Sequence, residues 1–149
     1  GDPNQVARQE FDAAIFEIID TARVTSMQGD SGIDTPTQTA PLSAGTKVTK
    51  VGRTSGQTFG TCLGMVNTPF HVPYQSANFR AVVHFQNVYA VVGRGKSPFS
   101  LPGDSGSLVM TEDGQYALGI VFAGGNNVSY IFPILPLLQA FGVTLVTGI

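Results

Sequence analysis

Cysteine is nearly absent from this chain. Cys62 stands alone, so no internal disulfide can form and the fold cannot depend on oxidation. That leaves the compartment open and is compatible with a cytosolic setting. Charge is scarce too: Asp, Glu, Lys and Arg supply 12% of the residues, against about a quarter in an ordinary domain. With a net charge of −2 and no Lys/Arg block, nucleic acid is not an expected partner, because phosphate binding needs clustered positive charge. No apolar run reaches the roughly 18 residues of a membrane span, so no membrane partner is expected. The front of the chain, GDPNQVARQEF, is polar and unlike a secretory leader. It begins on Gly1 without an initiator methionine, which fits an excised piece of a longer chain or a processed fragment. Histidine is down to His71 and His84. With one cysteine they do not make ligand spacing, and no metal or cofactor is expected.

What the chain has is apolar residues and turn formers. Hydrophobic residues reach 42%, enough for a core, and 18 glycines and 9 prolines are scattered as in short strands joined by turns. FDAAIFEII, from Phe11 to Ile19, is apolar with ambiguous period. Residues 20–44 are rich in Ser, Thr, Gly, Asp and Pro and read as a linker. From residue 45 the texture is β. TKVTKVG and QTFGTCLGMV flank the turn RTSG, and FRAVVHFQNVYAVVG is strongly β. SLVMT and YALGIVFAG flank a turn at Asp113-Gly114, and VSYIFPI is one more strand. PLLQAFG suits a short helix ended by Gly142. Six or so short strands predict an all-β fold with a closed antiparallel barrel.

One motif carries chemistry. In SLPGDSGSLVM, Ser105 sits between glycines, behind Asp104, and leads into an apolar strand. A nucleophilic serine needs an exposed hydroxyl, and its own backbone N–H and a second one aimed at a developing oxyanion. Gly103 permits the bend that supplies the second N–H, Gly106 admits the substrate closely, and Asp104 is suited to hold the turn. The five letters by themselves fit a tight turn equally well. A second GDSG, around Ser31, lies in the polar linker with no strand after it and is read as a turn. GRTSGQTFG lacks the ending of a phosphate loop and is read as a hairpin. Cys62 is expected in the core. Lys47, Lys50 and Arg53 are expected along a solvated strand edge.

GDSGS followed by an apolar strand, a hairpin and the Gly-Ile-Val strand of YALGIVFAGG resembles chymotrypsin-fold (trypsin-like) serine proteases. FDAAIFEI is similar to the family's Asp-x-Ala-hydrophobic segment, and Asp12 and Ser105 are separated much as in that family. VTKVGRTSGQTFGTCLGMV resembles the start of the second barrel in a bacterial and plant branch. The resemblance covers about residues 10–149. It implies Ser105 as nucleophile, Asp12 as the group that orients a histidine, and the N–H groups of Gly103 and Ser105 as the oxyanion hole. It implies that Val121, Phe122, Ala123 and Gly124 pair with an extended peptide. Phe99 falls near the base of the primary pocket, where trypsin-like enzymes carry an aspartate. A neutral or apolar pocket is therefore expected, with walls near Asn126 to Tyr130.

The departure from the family is the histidine, which there precedes the aspartate in the first barrel. The residues before Asp12 hold none. His84 lies on a predicted strand and is read as structural. His71 lies in the Pro-flanked TPFHVPY, read as a loop, and is structural, at the surface or in a substrate pocket. The chain thus resembles the back part of a protease. Residues 1–19 correspond to a remnant of the first barrel with the aspartate segment, 20–44 to the interlobe linker and 45–149 to the complete second barrel. The expected function is a serine endopeptidase acting on a peptide or protein substrate. Its histidine would come from an N-terminal fragment of the same precursor, after a cut before Gly1 that could be autocatalytic. The alternative is an inactive protease-like module that binds extended peptides or a partner protein.

Overall fold

The computed structural model describes residues 7–9, 12–67 and 70–149. Six strands close a barrel: β3 (Lys47–Gly52), β4 (Gly56–Met65), β7 (Tyr89–Gly93), β8 (Leu108–Thr111), β9 (Tyr116–Gly125) and β10 (Val128–Pro133). Their order is β10-β7-β4-β3-β8-β9, and antiparallel pairing of β9 with β10 closes the ring. Every pair within the ring is antiparallel. Closure leaves the barrel strands without long open edges, which suits an apolar chain with few gatekeeping charges. The short strand β2 (Gln38–Thr39) lies parallel to β9 at Tyr116 and Ala117, where β10 has not begun to pair.

A second, three-stranded sheet stands beside the barrel. It is built from β1 (Ala7–Gln9), β5 (Phe70–Ser76) and β6 (Phe79–Phe85), with β6 in the centre. The expectation of a loop around His71 is corrected here: TPFHVPY contributes to β5, and His71 pairs with His84 across the hairpin. Pro73 disguised the strand. It is tolerated because β5 is an edge strand, where a missing N–H costs no ladder bond. FRAVVHFQNVYAVVG is β, as expected, and divides into two strands broken at Asn87, whose φ is 55°. Within the polar front of the chain, Ala7–Gln9 forms a strand, and residues 1–6 lie outside the described residues. The FDAAIFEII segment is neither helix nor strand from Asp12 onward; Phe11 lies outside the described residues.

The barrel core forms because alternate residues of each strand point inward. Val48, Cys62, Val91, Val109, Leu118 and Ile131 meet there, each almost wholly buried. Cys62 is thus a core residue, as expected, and burial pushes its thiol up from its ordinary value. Phe99 fills the middle of this cluster although it comes from the loop between β7 and β8. Gly60 makes room for it: a Cβ there would lie 2.7 Å from the Phe99 ring and 2.6 Å from the Val92 carbonyl oxygen. A second cluster seats helix α1 (Ile134–Phe141) on β8 and β9 through Ile134, Leu137, Leu108 and Met110. The helix starts at Ile134, two residues before Pro136, and ends with Gly142 in the left-handed conformation, φ 63°.

A third, aromatic cluster joins the β5–β6 hairpin to the barrel. Phe122 stacks on Phe132 with centroids 3.8 Å apart, and Phe70 lies against Tyr130 at 4.1 Å. Strand alternation therefore places the β5–β6 hairpin firmly, with Phe70, Val72 and Tyr74 on the face toward the barrel. Since Phe99 is wholly buried and closely packed, Phe99→Ala is expected to cost about 3–5 kcal/mol. Urea unfolding followed by circular dichroism measures this.

Candidate active site

The loop that carries Ser105 is held from below by ion pairing and hydrogen bonds that water does not reach. Asp104 is 1% exposed and Lys50 0%. Asp104 Oδ1 accepts from the backbone N–H of Thr54 at 2.8 Å and of Ser55 at 3.1 Å. Its Oδ2 accepts from Ser55 Oγ at 2.5 Å and from the Leu101 N–H at 2.9 Å. Lys50 Nζ lies 3.6 Å from Oδ2 and donates to Ser55 Oγ at 2.6 Å and to the Gly56 carbonyl at 3.0 Å. Burial alone would push the Asp104 carboxyl up. The bonds from Ser55, Leu101 and Thr54 outweigh it and hold the group well below the usual carboxylate range. Burial pulls the Lys50 ammonium down, and the facing carboxylate opposes that shift. Lys50 is therefore not on a solvated edge. The sequence reading of the Lys47, Lys50, Arg53 cluster holds for the exposed Lys47 and Arg53 and fails for Lys50. It was missed because alternation along β3 is interrupted: Val48, Thr49 and Lys50 are all buried.

The RTSG turn is the other half of the clamp. Thr54 Oγ1 donates to the Pro102 carbonyl at 2.9 Å, and a Cβ on Gly103 would lie 2.3 Å from Thr54 Oγ1. With φ at +99°, Gly103 is the residue type this bend admits. Gly106, also at positive φ, donates to the Val121 carbonyl at 2.7 Å, and the Val121 N–H returns to the Ser107 carbonyl at 3.0 Å. Between these anchors Ser105 is exposed. Its hydroxyl has no hydrogen-bond partner among the described residues, and neither do the N–H groups of Gly103 and Ser105.

Ser105 lines a cavity of about 300 Å³ whose walls include Ser100, Leu101, Val121, Ala123 and Gly124. None of its lining residues is charged. Ser100 Oγ and Ser129 Oγ share a hydrogen bond of 2.5 Å. Past Val121, β9 pairs with β10 only, so one edge of Phe122 to Gly124 is unpaired among the described residues. The Phe99 side chain, expected near the base of the pocket, points elsewhere. Phe99 is core, and Ser100, its neighbour of opposite orientation, lines the cavity. Phe122 stacks in the aromatic cluster, since alternation sends it away from Val121 and Ala123.

Asp12 lies on an exposed segment, and its Oδ2 accepts from Tyr74 Oη at 2.5 Å. His71 and His84 stack on each other, centroids 3.9 Å apart, and neither lines the cavity beside Ser105. Ser31 is a turn residue: its Oγ donates to the Gln28 carbonyl at 2.6 Å. No group of three or more metal-ligating side chains is present among the described residues.

The Nal1 C-terminal domain family matches residues 10–132. The chain belongs to that family. Protein NARROW LEAF 1 of Oryza sativa subsp. japonica is 32% identical over 119 residues, which are 75% of this chain and 19% of that protein. This Nal1 C-terminal domain thus spans about a fifth of the length of the rice relative. Among solved structures, Cellulomonas bogoriensis chymotrypsin superposes with a TM-score of 0.59 at 21% identity, over 84% of this chain and 63% of that one. Thermobifida fusca protease A superposes with a TM-score of 0.57 at 26% identity, over 81% and 59%. The domain has the chymotrypsin-like fold expected from its sequence.

Removing the buried carboxylate leaves Lys50 without its counter-ion, so Asp104→Ala in this Nal1 C-terminal domain is expected to lose about 3–5 kcal/mol. The pH dependence has a definite sign. A carboxyl depressed by folding stabilises above its ordinary value of 3.8, and that stability drains away as pH falls below it. Acid titration of the urea midpoint should show a steeper loss below that pH in the wild type than in the variant.

Proposed function

We propose that this domain is the nucleophile-bearing part of a serine endopeptidase. The observation that carries the reading is Ser105 itself. It is exposed on the rim of an uncharged cavity, in a loop clamped by the buried Asp104, with the N–H groups of Gly103 and Ser105 unengaged. In the reaction, Ser105 Oγ attacks the scissile carbonyl and gives its proton to an imidazole. The two N–H groups stabilise the oxyanion, the imidazolium gives the proton to the amine as the C–N bond breaks, and water then hydrolyses the acyl-enzyme. Asp12 orients the imidazole. The free edge of β9 from Phe122 to Gly124 takes the extended peptide as an added strand.

The histidine comes from a part of the protein outside these residues, and proteolytic processing before Gly1 is one way that part becomes a separate chain. Neither histidine present lines the cavity. The segment behind Asp12 presents Phe16 and Ile19 at 85% and 99% exposure, apolar surface that a partner would cover. A second reading, a module that binds extended peptides without cutting them, draws on the same unpaired edge of β9.

A fluorophosphonate probe applied to the full-length protein separates the two readings. Labelling mapped to Ser105 and lost in Ser105→Ala supports the peptidase. A folded protein that stays unlabelled leaves only the binding module. The uncharged cavity predicts cleavage after neutral residues. Peptides with Lys, Arg, Asp or Glu there should be cut on the order of a hundredfold more slowly, because an unpaired charge in a neutral pocket costs several kcal/mol.

A further inference from the structure

The segment that carries Asp12 has no regular structure of its own. Residues 12–18 run as irregular chain, exposed along their length. An aspartate that must orient an imidazole needs an orientation of its own, and this backbone does not impose one. The hydrogen bond from Tyr74 Oη at 2.5 Å does. Tyr74 is well placed for it. Its ring packs in the aromatic cluster with Phe70, Val72 and Phe85, so the hydroxyl is set by the β5–β6 hairpin and the barrel together. Cross-strand pairing of Tyr74 with Ala81 and of Val72 with Val83 fixes the register. Burial, with the Asp12 bond and charge, pushes the Tyr74 hydroxyl up to about 12, so it remains a donor throughout the neutral range.

We propose that Tyr74 is the positioning residue for Asp12, holding its carboxylate so that it meets the imidazole in one orientation. The proposal rests on the reading of Asp12 and Ser105 as members of one catalytic triad. It explains why a hairpin outside the barrel is tied to it by so many aromatic rings: the hairpin carries the support for a residue that the barrel does not contain. It also turns the third cluster, a packing feature by composition, into the path by which the barrel places the aspartate.

The test is a double-mutant cycle in the full-length protein, read as steady-state hydrolysis of a peptide with a neutral residue before the scissile bond. Ser105→Ala serves as the blank. Tyr74→Phe keeps the ring in its apolar cluster and removes only the hydroxyl. Tyr74→Phe should lower kcat about tenfold, as for loss of a hydrogen bond to a charged group, with KM unchanged. Added to Asp12→Asn, it should lower kcat no further, because the group it positions is already gone. Equal losses in both backgrounds would mean a structural role only and would overturn the proposal, as would wild-type kcat in Tyr74→Phe. If wild type and Ser105→Ala hydrolyse the peptide equally slowly, the peptidase reading fails and the role of Tyr74 falls with it. Matching thermal midpoints of Tyr74→Phe and wild type show that the loss is not one of folding.

Discussion

The Asp104 carboxylate is the point on which the loop that carries Ser105 hangs. Two separate parts of the barrel converge on it. The turn between β3 and β4 contributes the N–H groups of Thr54 and Ser55 and the Ser55 hydroxyl, and β3 contributes Lys50. The loop ahead of β8 contributes the carboxylate and the Leu101 N–H. A charge at this depth is tolerated only because its acceptor sites are filled and a cation stands beside it. The same requirement makes the arrangement unique: moving the loop would strand either the carboxylate or the ammonium in an apolar core. Ser105 inherits its position from that constraint, one residue along from a side chain that has nowhere else to go.

The cavity beside Ser105 follows from strand alternation on the same frame. Phe99 plugs the barrel, which turns Ser100 outward, and Val121 and Ala123 line the opposite wall while Phe122 turns away. Gly60 is the counterpart of Phe99, since any side chain there would collide with the ring. Core and cavity are thus two faces of one run of residues. A change made to shape the pocket through Phe99 would disturb the barrel first.

The barrel was legible because its signals are local. Period-two runs such as TKVTKVG and YALGIVFAGG, with glycine-containing turns between them, mark strands without reference to anything distant. GDSGS with the apolar strand behind it marked a glycine-containing loop ahead of β8 on similar grounds. β5 was not legible, because Pro73 argues against a strand and only its place at the edge of a sheet removes the objection. Lys50 was not legible either. A lysine between threonine and valine reads as solvated until a carboxylate fifty-odd positions later is known to lie under it.

What the sequence by itself determined is the class of fold, the barrel strands and the buried cysteine. Each follows from residue type, local periodicity or a short motif. What only the tertiary structure decided is which residues of distant segments share a site: Lys50 and Ser55 with Asp104, Tyr74 with Asp12, Ser100 and not Phe99 at the cavity. The physical reason is that these contacts depend on register and closure. A shift of one residue along any strand would exchange inward for outward side chains while leaving the local pattern of apolar residues and turns as readable as before.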